Sequence, residues 1–161
     1  MKNMFKMMGV ALLAGAMLFT ACKKDKEETT PTPETVVNNA VLTFDGAAWF
    51  TTTKAMVMEA GQEGTKEFKI FKEGSNLADA KFSTVLAKGT YGFGDNANVW
   101  AVCWIDDNEY VERSNNGSIA INELDLEGKT MSGVISAEVK TAAETEYHTL
   151  GIVLTNTKWA E

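Results

Sequence analysis

The sequence predicts an all-β domain, an antiparallel sandwich or small up-and-down barrel of about eight or nine strands. Three observations predict it. From Val41 onward apolar residues recur with period 2 rather than 3.6. Clusters of Gly, Asn, Asp and Ser interrupt that pattern every ~8–12 residues, the spacing of short strands joined by turns. No long helical pattern occurs, and Ala142-Ala143-Glu144 offers at most one helical turn.

The elements follow in order. Val41-Leu42-Thr43-Phe44 is a first strand, turned at Asp45-Gly46. Trp49 to Glu59 is rich in Thr and Val, and Gly61-Gln62-Glu63-Gly64 turns the chain into Phe68-Lys69-Ile70-Phe71. After Glu73-Gly74-Ser75-Asn76 comes Phe82-Ser83-Thr84-Val85-Leu86, which Gly89-Thr90-Tyr91-Gly92-Phe93 continues or bends. Gly94-Asp95-Asn96-Ala97-Asn98 is the densest turn cluster. Val99 to Ile105 is apolar at every position, so both of its faces are expected to be covered or partly covered. Glu109 to Arg113 reads as a strand and Ser114-Asn115-Asn116-Gly117 as the turn after it. The clearest hairpin is next. Ile119 and Ile121 go out, Glu127-Gly128-Lys129 closes the loop, and Met131, Gly133, Ile135, Ala137 and Val139 share one face on return. A last strand runs from about Tyr147 to Thr155 and ends near Trp159.

Ahead of this domain the chain reads differently. Lys2 and Lys6 give a basic start, and Met7 to Phe19 is an uncharged apolar run of 13 residues. That length suits a signal-peptide core and falls short of the ~20 apolar residues of a spanning helix. Thr20-Ala21 places small side chains just before Cys22, and Leu18-Phe19-Thr20-Ala21-Cys22 resembles a bacterial lipobox, with Phe19 where Leu is usual. The resemblance implies that Cys22 carries a thioether-linked lipid. Each buried CH₂ contributes roughly 0.8 kcal/mol, so two or three acyl chains hold essentially permanently. Lys23 to Thr35 has no aromatic and no large aliphatic residue and holds both prolines of the chain. Such a segment buries too little apolar surface to offset its ordering entropy. The expected organisation is therefore a lipoprotein signal peptide over 1–21, a lipidated Cys with a disordered tether over 22–39, and the all-β domain over 40–161.

Charge and cysteine content narrow the function. Without Lys2 and Lys6, 13 of the 15 basic residues remain against 22 acidic ones. A surface that acidic repels phosphate backbones, so nucleic-acid binding is disfavoured, and the membrane is reached through the lipid rather than a basic face. With Cys22 acylated, Cys103 has no intramolecular partner and is expected to be a buried, inert thiol.

Phe44-Asp45-Gly46-Ala47-Ala48-Trp49, Lys88-Gly89-Thr90-Tyr91-Gly92-Phe93-Gly94, Gly117-Ser118-Ile119-Ala120-Ile121 and Gly128-Lys129-Thr130-Met131-Ser132-Gly133 occur in that order. In this the chain resembles the small all-β lipoproteins common in the Bacteroidota. The likeness spans about Phe44 to Trp159, although Asn156-Thr157-Lys158-Trp159 departs from the Gly-x-Phe close expected there. It implies a fold and a place, an outer-membrane lipoprotein of the cell envelope. The charged run after Cys22 is similar to the export signals of such lipoproteins at the cell surface. The family has no established reaction, so no catalytic residue is carried over.

The candidate sites are few. His148 is the only histidine, so any His-based triad or metal site would have to use it. It stands at a strand start, where an ordinary partly exposed His suffices. Asp95 to Asn98 and Asp106 to Glu109 are oxygen-rich loops, but they lack EF-hand spacing and are explained by turn chemistry. Glu109 with Glu112, or Asp106 with Glu109, could form a glycosidase pair. Trp100 and Trp104 share one strand face and Tyr110 lies on the next strand. This aromatic strip is expected in the core between two sheets, and is otherwise a candidate ligand platform for a glycan or small apolar molecule. The expected function is thus a non-catalytic binding or structural domain needing no metal or cofactor. The alternatives are a ligand-binding barrel or sandwich and, behind it, a glycan-processing hydrolase.

Overall fold

Turn chemistry sets the strand boundaries. Asp45 (φ 50°) and Gly46 (φ 75°) form a two-residue turn of the type whose twist matches a hairpin, and Asp106 (φ 49°) and Asp107 (φ 66°) form a second. A computed structural model describes residues 38–161, and every element in them is a strand. In chain order they are Asn39–Phe44 (β1), Ala47–Thr52 (β2), Met56–Ala60 (β3), Thr65–Ile70 (β4), Ala80–Val85 (β5) and Gly89–Gly92 (β6). Trp100–Ile105 (β7), Asn108–Tyr110 (β8), Glu112–Asp125 (β9), Thr130–Lys140 (β10) and His148–Ala160 (β11) complete the set. Cys22, the signal peptide and most of the tether lie outside the described residues. The expected all-β class is observed, with eleven strands rather than eight or nine.

The strands form one open mixed sheet in the order β6-β9-β10-β11-β3-β4-β5-β7-β8, with β1 and β2 branching from β11. Every pairing is antiparallel except the short parallel junction of β11 with β3, where Trp159 lies opposite Met56 and Ala160 opposite Val57. That junction corrects the expectation of a purely antiparallel sheet. Its cause is a bulge in β11. Thr157 pairs with Met131 and Leu154 with Gly133, so β11 carries an extra residue there, and Asn156 sits at a φ of 43°. The Asn156 amide donates to Ser132 Oγ (2.9 Å), and its side chain donates to Asn38 Oδ1 (2.6 Å). Past the bulge the strand leaves β1 and pairs with β3. Asn38 and Asn39, read from the sequence as the end of the tether, are held by these contacts and by Thr157 Oγ1, which donates to the Asn39 carbonyl (2.6 Å).

One cluster of buried side chains draws on both arms of this sheet. Leu42, Ile119, Met131, Ile135, Leu150 and Ile152 are fully buried on the β1–β9–β10–β11 arm. Phe68, Phe82, Ala101 and Cys103 meet them from the β3–β4–β5–β7 arm, and β7 lies close to both β9 and β10 without pairing with either. Ser114 to Gly117, expected as a turn, runs inside β9 instead. Gly117 continues the strand at a φ of 150°. A Cβ there would lie 2.5 Å from the Phe93 ring, so only Gly lets the strand pass under that side chain.

Candidate ligand-binding face

The apolar strand β7 serves two faces, and its alternation decides which residue does what. Ala101 and Cys103 point into the core and are 0% exposed. Burial pushes the Cys103 thiol up to about 12, so it stays protonated and inert. Trp100, Val102 and Trp104 point the other way. Trp100 and Trp104 are half-buried and stand outside the core cluster, which corrects the expectation that this strip fills the core. The core at this level is already filled by Phe68, Phe82 and Trp159, whose rings pack at centroid distances of 5.0 and 5.9 Å. Tyr110 does not join the tryptophans. It pairs with Cys103, packs on the core edge and meets Phe44 edge-on at 4.9 Å.

The pairing register builds the outward face. Val57, Lys69, Lys81 and Val102 lie in one row across β3, β4, β5 and β7, and Glu59, Glu67, Ser83 and Trp100 in the next. Trp104 pairs with Glu109 of β8. Each indole is held in place. The Trp104 Nε1–H donates to Glu109 Oε1 (3.3 Å), and Lys81 Nζ lies 5.2 Å from the ring centroid. Lys81 is itself 3.7 Å from Glu67. The chain Glu67–Lys81–Trp104–Glu109 thus spans four strands. Arg113 covers Trp100 at 5.2 Å. A cation over an indole contributes about 0.5–1 kcal/mol at exposed sites, enough to fix a ring's orientation but small beside core packing.

Two open grooves flank this chain. One, of about 890 Å³, has Trp104, Phe71, Val57 and the 80%-exposed Leu77 among its apolar walls. The other, of about 550 Å³, runs past Trp100, Val102 and Arg113. Lys81 and Trp104 line both and form the wall between them.

The remaining candidates resolve into structural contacts. His148 Nδ1 is 2.7 Å from Asp45 Oδ2 and Nε2 is 3.4 Å from Glu144 Oε1. The ring stacks on Phe44 at 5.1 Å. Hydrogen bonding to Asp45 raises the imidazole above its usual range and lowers the Asp45 carboxyl, which also accepts the Thr149 amide. The ring therefore has a carboxylate near each of its nitrogens. The cluster ties the β1–β2 turn to the start of β11. Among the described residues no group of three or more His, Cys, Asp or Glu side chains is arranged to hold a metal ion. Glu109, named from the sequence as half of a carboxylate pair, serves here as the acceptor that fixes Trp104. The sequence reading missed Lys81 and Arg113. Lys81 is found only through the β5–β7 register, and Arg113 reaches Trp100 from β9, which lies near β7 without pairing with it.

Fold and site together define an all-β domain with an outward aromatic face beside two open grooves of mixed polar and apolar lining. No protein-family model matches the chain, and neither a curated protein nor a solved structure matches it significantly.

Proposed function

We propose that this chain is a non-catalytic binding module of the cell envelope, held by lipid at Cys22 to the outer membrane. In this reading the domain is a two-layered sandwich, its layers joined where β11 changes partners, and the outer face of one layer binds a glycan or small apolar molecule. The observation that carries the reading is the outward placement of Trp100 and Trp104, each fixed by charged neighbours. Exposed aromatic surface costs solvation unless a partner covers it, and a held ring loses little entropy when one does.

The test separates binding from stability. An indole left half in water buries roughly 100 Å² of its ~200 Å², so Trp104→Ala is expected to cost about 2 kcal/mol. A core position would lose about 3–5 kcal/mol. The full chain in detergent should be retained by at least one member of an immobilised polysaccharide panel or should bind an apolar reporter dye. The double variant Trp100→Ala/Trp104→Ala should fold and lose that binding. Binding that survives the double substitution would remove the face from the proposal.

The anchor has its own test, motivated by the apolar run and the small residues before Cys22. Mass spectrometry of the wild-type N-terminus should find an acylated Cys22, and Cys22→Ser should leave an uncleaved, unacylated precursor. A wild-type chain without acyl mass rules the anchor out.

A further inference from the structure

Resting on the binding-face reading, we infer that the larger groove takes an uncharged glycan chain and discriminates against polyanionic ones. The charge of the larger groove decides this. Its walls carry Glu59, Asp79, Asp106, Asp107 and Glu109 against only Lys69 and Lys81. Both lysines are already engaged, Lys69 by Glu59 and Lys81 by Glu67. A polyanionic chain laid beside Trp104 would meet like charges with no cation free to offset them, and like-charge juxtaposition costs several kcal/mol. Sugar hydroxyls are the complementary donors, because an ionised carboxylate only accepts hydrogen bonds. The C–H face of a pyranose ring matches the indole faces.

The shape of the site agrees. A small apolar molecule calls for a concave pocket that buries most of its surface. These grooves are open, and carboxylates line the larger one. Trp100 and Trp104 are four residues apart on one strand, which separates them by about 13 Å at strand rise. That spacing suits a chain of several rings touching both indoles across the Lys81–Trp104 wall.

The experiment is calorimetry on the full chain in detergent. The probes are hexasaccharides of glucose, mannose and N-acetylglucosamine, with hexagalacturonate as the anionic counterpart. At least one neutral probe is expected to bind ten times or more tighter than hexagalacturonate, and Trp104→Ala should weaken it at least tenfold. Asp106→Asn/Asp107→Asn should narrow the preference, because Asn tolerates the positive φ of that turn and the charges are gone. Hexagalacturonate binding as tightly as every neutral probe, and lost with both tryptophans, overturns this inference while the binding face stands. Failure of all neutral probes also overturns it, and the polysaccharide and dye panel then decides the face separately.

Discussion

Phe68→Ala is expected to lower stability by about 3–5 kcal/mol, the range for large aromatics removed from cores. Phe68 is 0% exposed, stacks on Phe82 at 5.0 Å and meets Trp159 edge-on at 5.9 Å. It therefore packs against the end of β11 that has left β1 for β3. That junction is only two residue pairs long, too few ladder bonds to hold the strand end alone. Removing the ring leaves a cavity beneath Trp159 and weakens what is, among the described residues, the one ladder link between the two arms of the sheet. Domains of this size have total stabilities of only ~5–15 kcal/mol, so the variant should melt far below wild type or fail to fold. Urea denaturation followed by Trp fluorescence measures it. A loss under about 1 kcal/mol would mean that the site collapses around the deletion, contrary to the packing described.

What the sequence made legible was local. Alternation found the β9–β10 hairpin, because Ile119, Ile121, Ile135 and Val139 bury one face each at period 2. Asp45-Gly46 gave its turn, because few other pairs accept two positive φ angles. What it hid was non-local. Ser114 to Gly117 has turn composition, yet Gly117 serves a close pass under Phe93 within a strand, a contact set by tertiary packing. The parallel junction depends on a bulge at Asn156 that no period reveals. The candidate face shows the same division. Alternation placed Trp100 and Trp104 on one side of β7 and Cys103 on the other. It could not say which side was inside, because a strand apolar at every position carries no inside-outside signal. Placing Lys81 beside Trp104 decided it, and that needed the β5–β7 register.

Gly133→Ala is expected to cost at least about 1–3 kcal/mol, and Gly133→Val more, because there is no room for any side chain. A Cβ at Gly133 would lie 2.3 Å from the Ala120 carbonyl oxygen and 3.4 Å from Ile121 Cα. Both are backbone atoms, so no rotamer change relieves the clash. The register explains the crowding. β10 shifts against β9 between Ser132 and Gly133, and against β11 between Met131 and Gly133, so the strand bends here with a neighbour on each side. Pushing β9 away would carry Ile119 and Ile121, both buried, out of the core. Gly64 provides the comparison. It has a φ of 83° and nothing within 4 Å of its Cβ position, so Gly64→Ala adds strain without a clash and should cost about 1–2 kcal/mol. Chemical denaturation of the two Ala variants side by side isolates the steric term, and Gly133→Ala should be clearly the less stable. Equal midpoints would show that β9 yields at no cost and that the bend at Gly133 is not tightly packed.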